Sequence, residues 1–350
     1  MPKLSVAIAT DMARTLLADA GMTATQAAAM AEVLIAADLM GHRTHGLGML
    51  PTYLDRIAAG LIRSEGSIET LNETSSTFAW HTDRLPGAWV MQQAMSRLQD
   101  MARHHPVVTA TVSNCTHIGS LQVYLEEPAR NGYLALMMVT DPGVASVAPF
   151  GGADPVLTSN PIACGIPTGG DPILIDQCTS LVSNAQAQSI PEGRTELPGD
   201  WLLDNEGRPS RDPSVLRTDP PGTIMPLGGA DFGYKGMGFM LMVEAFALAL
   251  SGHARSTPKT RGAQGVFVQL IDPSAFSGRG TFEAEMTHVV EACHASRPAE
   301  GSSGVRLPGE RALRLKREQA ETGLDVETGR LDAIRAACRR NGLDVPAALR

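Results

Sequence analysis

The sequence of 350 residues has no long apolar run and no continuous apolar segment near its start. Its longest apolar stretch, near residues 237–250, contains Glu244 and is shorter than the roughly 20 residues that a membrane-spanning helix needs. Residues 1–21 form an amphipathic pattern rather than the apolar core of a signal peptide. We therefore expect neither a signal peptide nor a membrane partner.

Basic stretches and paired cysteines are also missing. The formal net charge is −8 and the Lys and Arg residues are scattered, which argues against nucleic acid as a partner. The five cysteines are odd in number and no two have CxxC spacing, so we expect neither a disulfide framework nor a bound metal. These features favour a reducing compartment, and we expect a cytoplasmic protein.

The sequence does contain enough apolar residues for a folded globular protein, 43% against 19% charged. Apolar residues at helical spacing predict helices over residues 5–20, 47–59, 310–322 and 326–341, and Thr23 is a predicted N-cap for another helix. Because helices stand at both ends, we hypothesise that the two termini pack together as one domain.

The centre of the chain has a different texture, with strands and helices mixed. It predicts an α/β fold with α+β character. Residues 141–171 and 183–225 are rich in loop-forming residues. Predicted strands cover residues 107–113, 134–140, 173–175 and 265–271, and predicted helices cover residues 85–105, 119–131 and 234–250.

The first candidate site is the segment 41–46, which places His42, Arg43, Thr44 and His45 between two predicted helices. An imidazole titrates near neutral pH, so it can give and take a proton where a carbonyl is reduced. The alternative is a polar turn between helices with surface histidines. The two histidines are not four residues apart, so they do not predict a zinc pair on a helix.

The second candidate is the segment 114–119, which contains Cys115, Thr116 and His117 between a predicted strand and a predicted helix. Loops at the carboxyl ends of strands are where α/β proteins build their sites. The alternative is a simple strand-to-helix turn in which Thr116 caps the helix. We do not favour Cys115 as a nucleophile, because buried structural cysteines are commoner.

The third candidate is the glycine-rich segment 228–238, where Lys235 lies at the start of a strong helix. Glycines allow a backbone to approach a phosphate closely, although the spacing is not that of a Rossmann motif. The alternative is a glycine-rich turn whose helix packs through small residues. Further polar loops lie at residues 148–152, 159–161 and 176–180.

Taken in order, these segments match one family. The chain resembles the type-2 malate/L-lactate dehydrogenase family, which includes ureidoglycolate and sulfolactate dehydrogenases, diketogulonate reductase and Δ1-piperideine-2-carboxylate reductase. The resemblance covers roughly residues 5–345. It is carried by residues 37–46 with Pro51, Tyr53 and Gly60, residues 114–119, 148–152 and 159–163, Asp176 with Thr179 and Ser180, residues 226–229 with Lys235 and Gly236, and residues 306–310.

The resemblance implies a non-Rossmann fold in which a large mixed sheet forms the nucleotide-binding domain and both termini form a helical domain. We place the helical domain at residues 1–66 and 290–350 and the NAD(P)-binding domain at residues 67–289. It also implies a homodimer, NAD or NADP as the cofactor, and a small 2-oxo, 2-hydroxy or imino acid as the substrate.

The same resemblance assigns roles to individual residues. It makes His45 the acid/base, with Thr44 and His117 as the other catalytic residues. The cofactor contacts that it implies are Asp176, Gln177, Cys178, Thr179, Ser180, Lys235, Pro308, Gly309 and Glu310. The predicted substrate contacts are Arg43, Met49, Ser159 and Asn160.

Two departures from the family pattern concern charged residues. The family usually has an arginine four residues after the histidine, where it holds the substrate carboxylate, and this chain has Met49. Each lost hydrogen bond to a charged group costs roughly 1.5–3 kcal/mol unless another residue such as Arg43 replaces it. The family often carries Arg-Gly-Lys where this chain has Asn184, Ala185 and Gln186, which leaves the choice between NAD and NADP open.

The sequence therefore predicts an NAD(P)-dependent oxidoreductase of small 2-oxo or 2-hydroxy acids. Two alternatives stay open at this point. One is a reductase of cyclic imines such as Δ1-piperideine-2-carboxylate or its pyrroline homologue, and the other is a non-catalytic nucleotide-binding homologue.

Overall fold

The computed structural model describes residues 3–188, 196–256 and 262–349. Its α-helices are α1 Val6–Asp19, α2 Ala24–Leu39, α3 Leu50–Ala58, α4 Gly87–Ala102, α5 Gln122–Arg130, α6 Asn184–Gln188, α7 Gly229–Val243, α8 Arg279–Ala295, α9 Glu310–Thr322 and α10 Thr328–Arg340. Its strands are β1 Lys3–Leu4, β2 Glu69–Glu73, β3 Thr77–His81, β4 Val107–Cys115, β5 Leu134–Thr140, β6 Ile162–Ile166, β7 Ile173–Gln177, β8 Leu202–Leu203, β9 Pro209–Ser210, β10 Thr223–Ile224, β11 Gln264–Ile271 and β12 Leu324–Asp325.

The first two helices begin where side chains satisfy free backbone N–H groups. The hydroxyl of Ser5 accepts a hydrogen bond from the backbone N–H of Ile8 at the start of α1. The predicted N-cap Thr23 is confirmed, and it forms a capping box with Gln26. Because a helix start leaves donors without intrahelical partners, such caps fix where the helix begins.

Within the described residues, the central sheet has seven strands in the order β2-β3-β4-β11-β5-β6-β7. Strands β3 and β4 are parallel, and the other neighbouring pairs are antiparallel. This mixed sheet, with helices packed against it, confirms the predicted mixed α/β fold. Strands β10, β8 and β9, in this order, form a separate three-stranded sheet.

The strand directions bring three chain segments to one edge of the central sheet. Strands β4, β5 and β7 all run in the same direction, because each is separated from the next by one antiparallel strand. Their carboxyl ends therefore lead out at a common edge. His117, Asp141 and the segment 176–180 follow these ends, so the fold places them on one side of the sheet.

Several elements lie where the sequence carried little signal. The five residues of β2 are all exposed, and no residue of α8 is fully buried, so neither element has the apolar periodicity that marks a half-buried strand or helix. Strand β6 lies within residues 141–171, where we expected loops. The strong helix predicted over residues 234–250 begins earlier, at Gly229, and changes to a π-helix over Glu244–Ala249.

The two ends of the chain are in contact. Strand β1 pairs with β12 in antiparallel register, α2 packs against α9, and α3 packs against α10. One buried apolar cluster includes side chains from these helices and from the central sheet. The division into domains 1–66 with 290–350 and 67–289 stays a prediction, and its last boundary lies within α8.

No helix among the described residues is long and apolar enough to cross a membrane. All five cysteines are free.

The buried amide of Gln319 ties the C-terminal helices to the end of α2. Its Nε2 donates to the carbonyl oxygens of Asp38 and Leu39, each at 3.0 Å, and its Oε1 accepts from the backbone N–H of Asp325 at 3.1 Å. One side chain therefore joins three backbone groups from two parts of the chain, of which the Asp38 carbonyl also accepts from the backbone N–H of Gly41.

We predict that Gln319→Ala lowers the free energy of unfolding by about 2–4 kcal/mol, because it removes the side-chain partner of the Leu39 carbonyl and of the Asp325 N–H. Denaturant unfolding followed by circular dichroism measures the change. The control is Glu318→Ala on the exposed side of the same helix, which should stay within about 0.5 kcal/mol of the parent protein. Equal losses from both variants would contradict the prediction.

Candidate active site

The segment after α2 folds into a tight turn that carries His42 and His45. The backbone N–H of His42 donates to the carbonyl oxygen of Ala37, and that of His45 donates to the carbonyl oxygen of His42, both at 2.8 Å. Gly41 adopts a left-handed backbone with φ of +80°, which lets the chain reverse directly after the helix. The turn thus fixes the backbone at both histidines.

A buried carboxylate holds the far end of this turn. The Asp38 Oδ2 atom accepts a hydrogen bond of 2.7 Å from the backbone N–H of Leu47. Gly46 lies so close that a Cβ atom there would be 2.1 Å from Cγ of Asp38. Burial raises the pKa of Asp38 to about 6, although the Leu47 N–H and the charge of Arg330 both oppose the rise.

The two predicted catalytic histidines lie side by side. The imidazole rings of His45 and His117 are stacked, with centroids 5.5 Å apart and an angle of 14° between their planes. Nδ1 of His45 is 3.0 Å from the hydroxyl oxygen of Thr44. Nδ1 of His117 is 2.8 Å from the hydroxyl oxygen of the buried Tyr53. Both histidines are half-buried, so neither lies on an outer surface remote from the other.

Burial changes the protonation of both rings. It lowers the pKa of His45 below its ordinary value, while the carboxylate of Asp176 opposes this effect and the charge of His42 adds to it. It lowers the pKa of His117 more strongly, to about 3, with smaller contributions from His45 and Arg56. His117 therefore stays neutral near neutral pH, whereas His45 has a carboxylate nearby that favours its charged form.

Asp176 connects the end of β7 to the start of α5. Its Oδ2 atom accepts hydrogen bonds from the hydroxyl of Ser120 at 3.1 Å and from the backbone N–H of Gln122 at 3.0 Å. The side chain of Gln122 in turn bonds to Nε2 of His42 at 2.7 Å and to the carbonyl oxygen of Leu174 at 2.6 Å. Both predicted histidine segments are thus tied to the Asp176 strand.

The predicted cofactor turn, Pro308 to Glu310, lies beside this cluster. The carbonyl oxygen of Pro308 accepts from the backbone N–H of Leu174 at 3.1 Å. Gly309 has φ of +93°, and a Cβ atom there would be 2.8 Å from the backbone N of Leu174. The carboxylate of Glu310 pairs with His294 at 2.6 Å.

The loop from residues 176 to 180 packs against the second predicted substrate segment. The hydroxyl of Thr179 donates to the carbonyl oxygen of Asn160 at 2.9 Å, and its backbone N–H donates to that of Ser159 at 2.9 Å. The Ser180 hydroxyl donates to the carbonyl oxygen of Val182 at 2.7 Å. The remaining members of this loop are the exposed Gln177 and the half-buried Cys178.

Asn160 is wholly buried in a polar network away from the solvent. Its Nδ2 donates to the Glu244 carboxylate at 2.8 Å, and its Oδ1 accepts from the hydroxyl of Thr140 at 2.7 Å. Arg255 pairs with both carboxylate oxygens of Glu244, at 2.7 and 2.8 Å. The side chain of Asn160 thus holds the loop in shape, and its contact with substrate stays a prediction, as does that of Ser159.

Three other predicted residues lie in different surroundings. The guanidinium of Arg43 pairs with Glu327 at 3.1 Å. Met49 is half-buried and packs against the main apolar core. The ammonium of Lys235 lies on the exposed side of α7, 4.9 Å from the ring centroid of Phe232 on the same helix. Their proposed contacts with substrate or cofactor stay predictions.

The segment around Cys115 is more than a capped turn. The hydroxyl of Thr116 accepts from the backbone N–H of Gly87 at 2.8 Å and donates to the carbonyl oxygen of Leu85 at 3.0 Å, so it serves the start of α4 rather than the start of α5. Cys115 is fully buried, and burial raises the pKa of its thiol to about 12. A thiol in this state is a poor nucleophile.

Sequence reasoning assigned no role to Asp38, Tyr53 or Gln122, although the structure places all three against the histidines. Asp38 and Tyr53 carried the family resemblance, and a signal was available because Asp38 is a charged residue among apolar neighbours at the end of α2. Gln122 lay inside a predicted helix and had no signal, since its two partners come from distant segments.

Two histidines with separated pKa values and a nearby carboxylate, gathered at one sheet edge, define an α/β enzyme with proton-transfer groups. The model of the malate/L-lactate dehydrogenase family matches residues 4–335 of the chain. The chain is 30% identical over 319 residues to L-sulfolactate dehydrogenase from Methanothermobacter thermautotrophicus, which covers 89% of each protein. It is 27% identical over 330 residues to hydroxycarboxylate dehydrogenase B from Escherichia coli, which covers 92% of this chain and 90% of that protein.

A solved structure gives the same result. Δ1-Piperideine-2-carboxylate reductase from Pseudomonas syringae pvar. tomato superposes with a TM-score of 0.85 at 25% sequence identity, over 96% of this chain and all of that one. The chain belongs to the malate/L-lactate dehydrogenase family, and it is an oxidoreductase of small hydroxy acids that uses a nicotinamide cofactor.

Proposed function

We propose that this protein interconverts a small 2-hydroxy acid and its 2-oxo acid with NAD or NADP, and that His45 is the acid/base. The observation that carries the proposal is the stacked pair of His45 and His117, whose ring centroids are 5.5 Å apart. Both rings are half-buried, and each has a hydroxyl group within hydrogen-bond distance of Nδ1. Names of similar proteins support the substrate class, since they include L-sulfolactate dehydrogenase and hydroxycarboxylate dehydrogenase B.

The residues around His42 fit a dinucleotide cofactor. A cavity of about 340 Å³ is lined by His42, Gln122, Gly309 and the arginines Arg306 and Arg311. Arginine side chains at the start of a helix suit the phosphates of a dinucleotide. When bound, a nicotinamide group supplies or accepts hydride. Asn184, at the position of the family's arginine, donates to the hydroxyl of Thr158 and adds no charge. Titration with NADH and NADPH decides which of the two cofactors the protein prefers.

His45 exchanges the proton in this proposal. As a neutral base it accepts the proton of a substrate hydroxyl, and as an imidazolium it donates a proton to the oxygen of a 2-oxo acid. Burial favours the neutral base, and the nearby carboxylate of Asp176 stabilises the imidazolium that forms. Thr44 orients the ring through Nδ1.

We further propose that Arg56 takes the role of the missing arginine at position 49. Arg56 follows Met49 by seven positions, about two helical turns, so the two residues share a face. It is half-buried, and its guanidinium lies against Gly262, where a Cβ atom would be 2.8 Å from Nη1. Its charge acts on both Tyr53 and His117.

Within the described ranges the Arg56 guanidinium has no hydrogen bond or ion pair, in contrast to Arg43, which pairs with Glu327. A half-buried cation whose charge acts on His117 suits the carboxylate of a hydroxy acid.

A cyclic imino acid is the second candidate substrate. The similarity to Δ1-piperideine-2-carboxylate reductase favours it. The same proton from His45 would then go to an imine nitrogen in place of a carbonyl oxygen, and the carboxylate would again face Arg56. A substrate panel distinguishes the two classes.

We also propose a homodimer that buries the apolar face of α7. Helix α7 is mostly apolar apart from the exposed Asp231 and Lys235, yet only one stripe, with Gly233, Gly236, Met240 and Val243, is buried. A helix of this kind is normally covered. Exposed apolar side chains stand on two sides of this helix and on the segment after it: Phe232 and Phe239 share one side, Tyr234 and Leu241 share the other, and Phe246 and Leu250 follow. These six residues, together called the α7 face, have side chains that are 38–59% exposed.

The area of the α7 face suits a second copy of the chain. With aromatic side chains that bury 150–250 Å² each, six half-exposed residues amount to roughly 600 Å². That is at the upper limit for an apolar patch on a monomer and near the ~800 Å² that each partner buries in a standard interface. A self-association through one helix follows the two-fold symmetry of most homodimers.

His45→Gln should lower turnover by about 10²–10⁴-fold while cofactor binding stays intact, because the variant keeps a polar side chain of similar length but cannot exchange a proton. The measurement is steady-state turnover with malate, lactate, sulfolactate and Δ1-piperideine-2-carboxylate, alongside fluorescence titration with NADH and NADPH. The exposed His104→Gln is the control and should behave as the parent protein. Near-normal turnover of His45→Gln would refute the assignment.

Arg56→Met should raise the KM for the acid by about 10- to 100-fold with a smaller effect on kcat, because a charge-assisted contact with the carboxylate is lost. Arg63→Met serves as the matched control, since Arg63 pairs with the exposed Asp83. If Arg56→Met and Arg63→Met have the same KM for the acid, Arg56 does not hold the carboxylate.

Phe239→Glu should convert the dimer to a monomer, because a carboxylate in a buried apolar interface is strongly unfavourable. Light scattering after size-exclusion chromatography at micromolar concentration measures the mass. Phe276→Glu, at a phenylalanine 68% exposed outside α7, should leave the dimer unchanged. A monomeric parent protein would remove the basis for the proposal.

A further inference from the structure

We propose that Tyr53 is a positioning residue that fixes the tautomer of His117. In this arrangement the Tyr53 hydroxyl donates to Nδ1 of His117, so the ring proton stays on Nε2. The Nε2–H group is then a permanent neutral donor to the oxygen of the substrate. The last step rests on the proposed function, whereas the tautomer itself does not.

The geometry around Tyr53 leaves its hydroxyl one partner. Tyr53 is 2% exposed, and its oxygen is 2.8 Å from Nδ1 of His117. Among residues 3–188, 196–256 and 262–349, the hydroxyl has no second hydrogen bond. Burial raises the pKa of Tyr53, so the hydroxyl keeps its proton across the accessible pH range. It is therefore an O–H group that needs an acceptor.

The two tautomers of His117 differ in whether the hydroxyl hydrogen of Tyr53 has an acceptor. With the ring proton on Nε2, the Nδ1 lone pair accepts the Tyr53 O–H, and both buried groups are satisfied. With the ring proton on Nδ1, that N–H donates to the Tyr53 oxygen, and the Tyr53 hydrogen has no acceptor among the described residues. Because a buried donor without an acceptor is unfavourable, the first tautomer is preferred.

Burial also makes His117 unsuited to proton exchange. Its pKa of about 3 keeps the ring neutral, whereas the carboxylate of Asp176 opposes the lowering of the His45 pKa by burial. Since the two rings are stacked at 5.5 Å, they address the same region of the site. In this proposal the two rings have different roles. His45 exchanges the proton, and His117 donates a hydrogen bond to the negative charge that develops on the substrate oxygen.

The first test reads the tautomer directly. In protein labelled with ¹⁵N-histidine, the ¹⁵N shifts of Nδ1 and Nε2 distinguish a protonated from an unprotonated nitrogen, and the spectrum of His117→Gln identifies the His117 signals. We expect a proton on Nε2 in the parent protein at all pH values from 5 to 9. A proton on Nδ1 would overturn the proposal, whether or not any substrate is turned over.

The second test removes the Tyr53 hydroxyl. Tyr53→Phe should give a mixture of His117 tautomers and lower kcat by about 10- to 100-fold, the scale expected for a weakened donor to a developing oxyanion. The cofactor dissociation constant should change by less than about two-fold, because His45 and the cavity near His42 are untouched.

Tyr124→Phe is the matched control. Tyr124 is also a buried tyrosine, and its hydroxyl donates to the carbonyl oxygen of Ile118 at 2.6 Å, next to His117 in sequence. It should lose a similar amount of stability but keep the Nε2–H tautomer and most of the turnover. If Tyr53→Phe retains a single Nε2–H tautomer and matches Tyr124→Phe in kcat, Tyr53 does not position His117.

Discussion

The buried carboxylate of Asp38 is the contact on which the site depends. It accepts the backbone N–H of Leu47 and lies against Gly46, so it fixes the segment that carries His45. It also faces Arg330 from α10, with 3.5 Å between Oδ1 and Nη1. A carboxylate whose pKa is raised to about 6 is costly to keep charged, and the fold offsets that cost with a backbone donor and a cation. The turn that carries His45 is therefore held by residues from both ends of the chain.

The strand directions explain why distant segments form one site. Because β4, β5 and β7 all end at the same edge, His117 and Asp176 approach each other although they are far apart in sequence. Asp176 then accepts the first backbone N–H of α5 at Gln122, and Gln122 bonds to His42. Hydrogen bonds of this kind couple the sheet edge to the helical turn, so the position of each histidine is set by more than one element. The resulting difference in burial separates the pKa values of the two rings.

Polar groups around the site serve two different purposes. Asn160, Glu244 and Arg255 form a network in which each charged side chain has a partner, and this network holds the loop in shape. Arg56 is a half-buried cation without such a partner in the described ranges, and the His117 ring keeps one nitrogen available. Groups of this second kind are the ones that a small organic acid can satisfy. The π-helix begins at Glu244, which is a member of this network.

The sequence by itself determined the helices with clear caps and periodicity, such as the one that starts after Thr23, and the apolar strands in the centre. These features depend on local propensity and apolar pattern in consecutive residues. The family and its histidine turn came from the resemblance of short motifs in a fixed order. Only the tertiary structure decided that Thr116 serves α4, that Asn160 is buried, and that Tyr53 meets His117. Strand β2 and helix α8 also needed the tertiary structure, since neither buries a periodic apolar face. Contacts between residues distant in sequence carry no local signal, because they depend on strand direction and on which segments the core brings together.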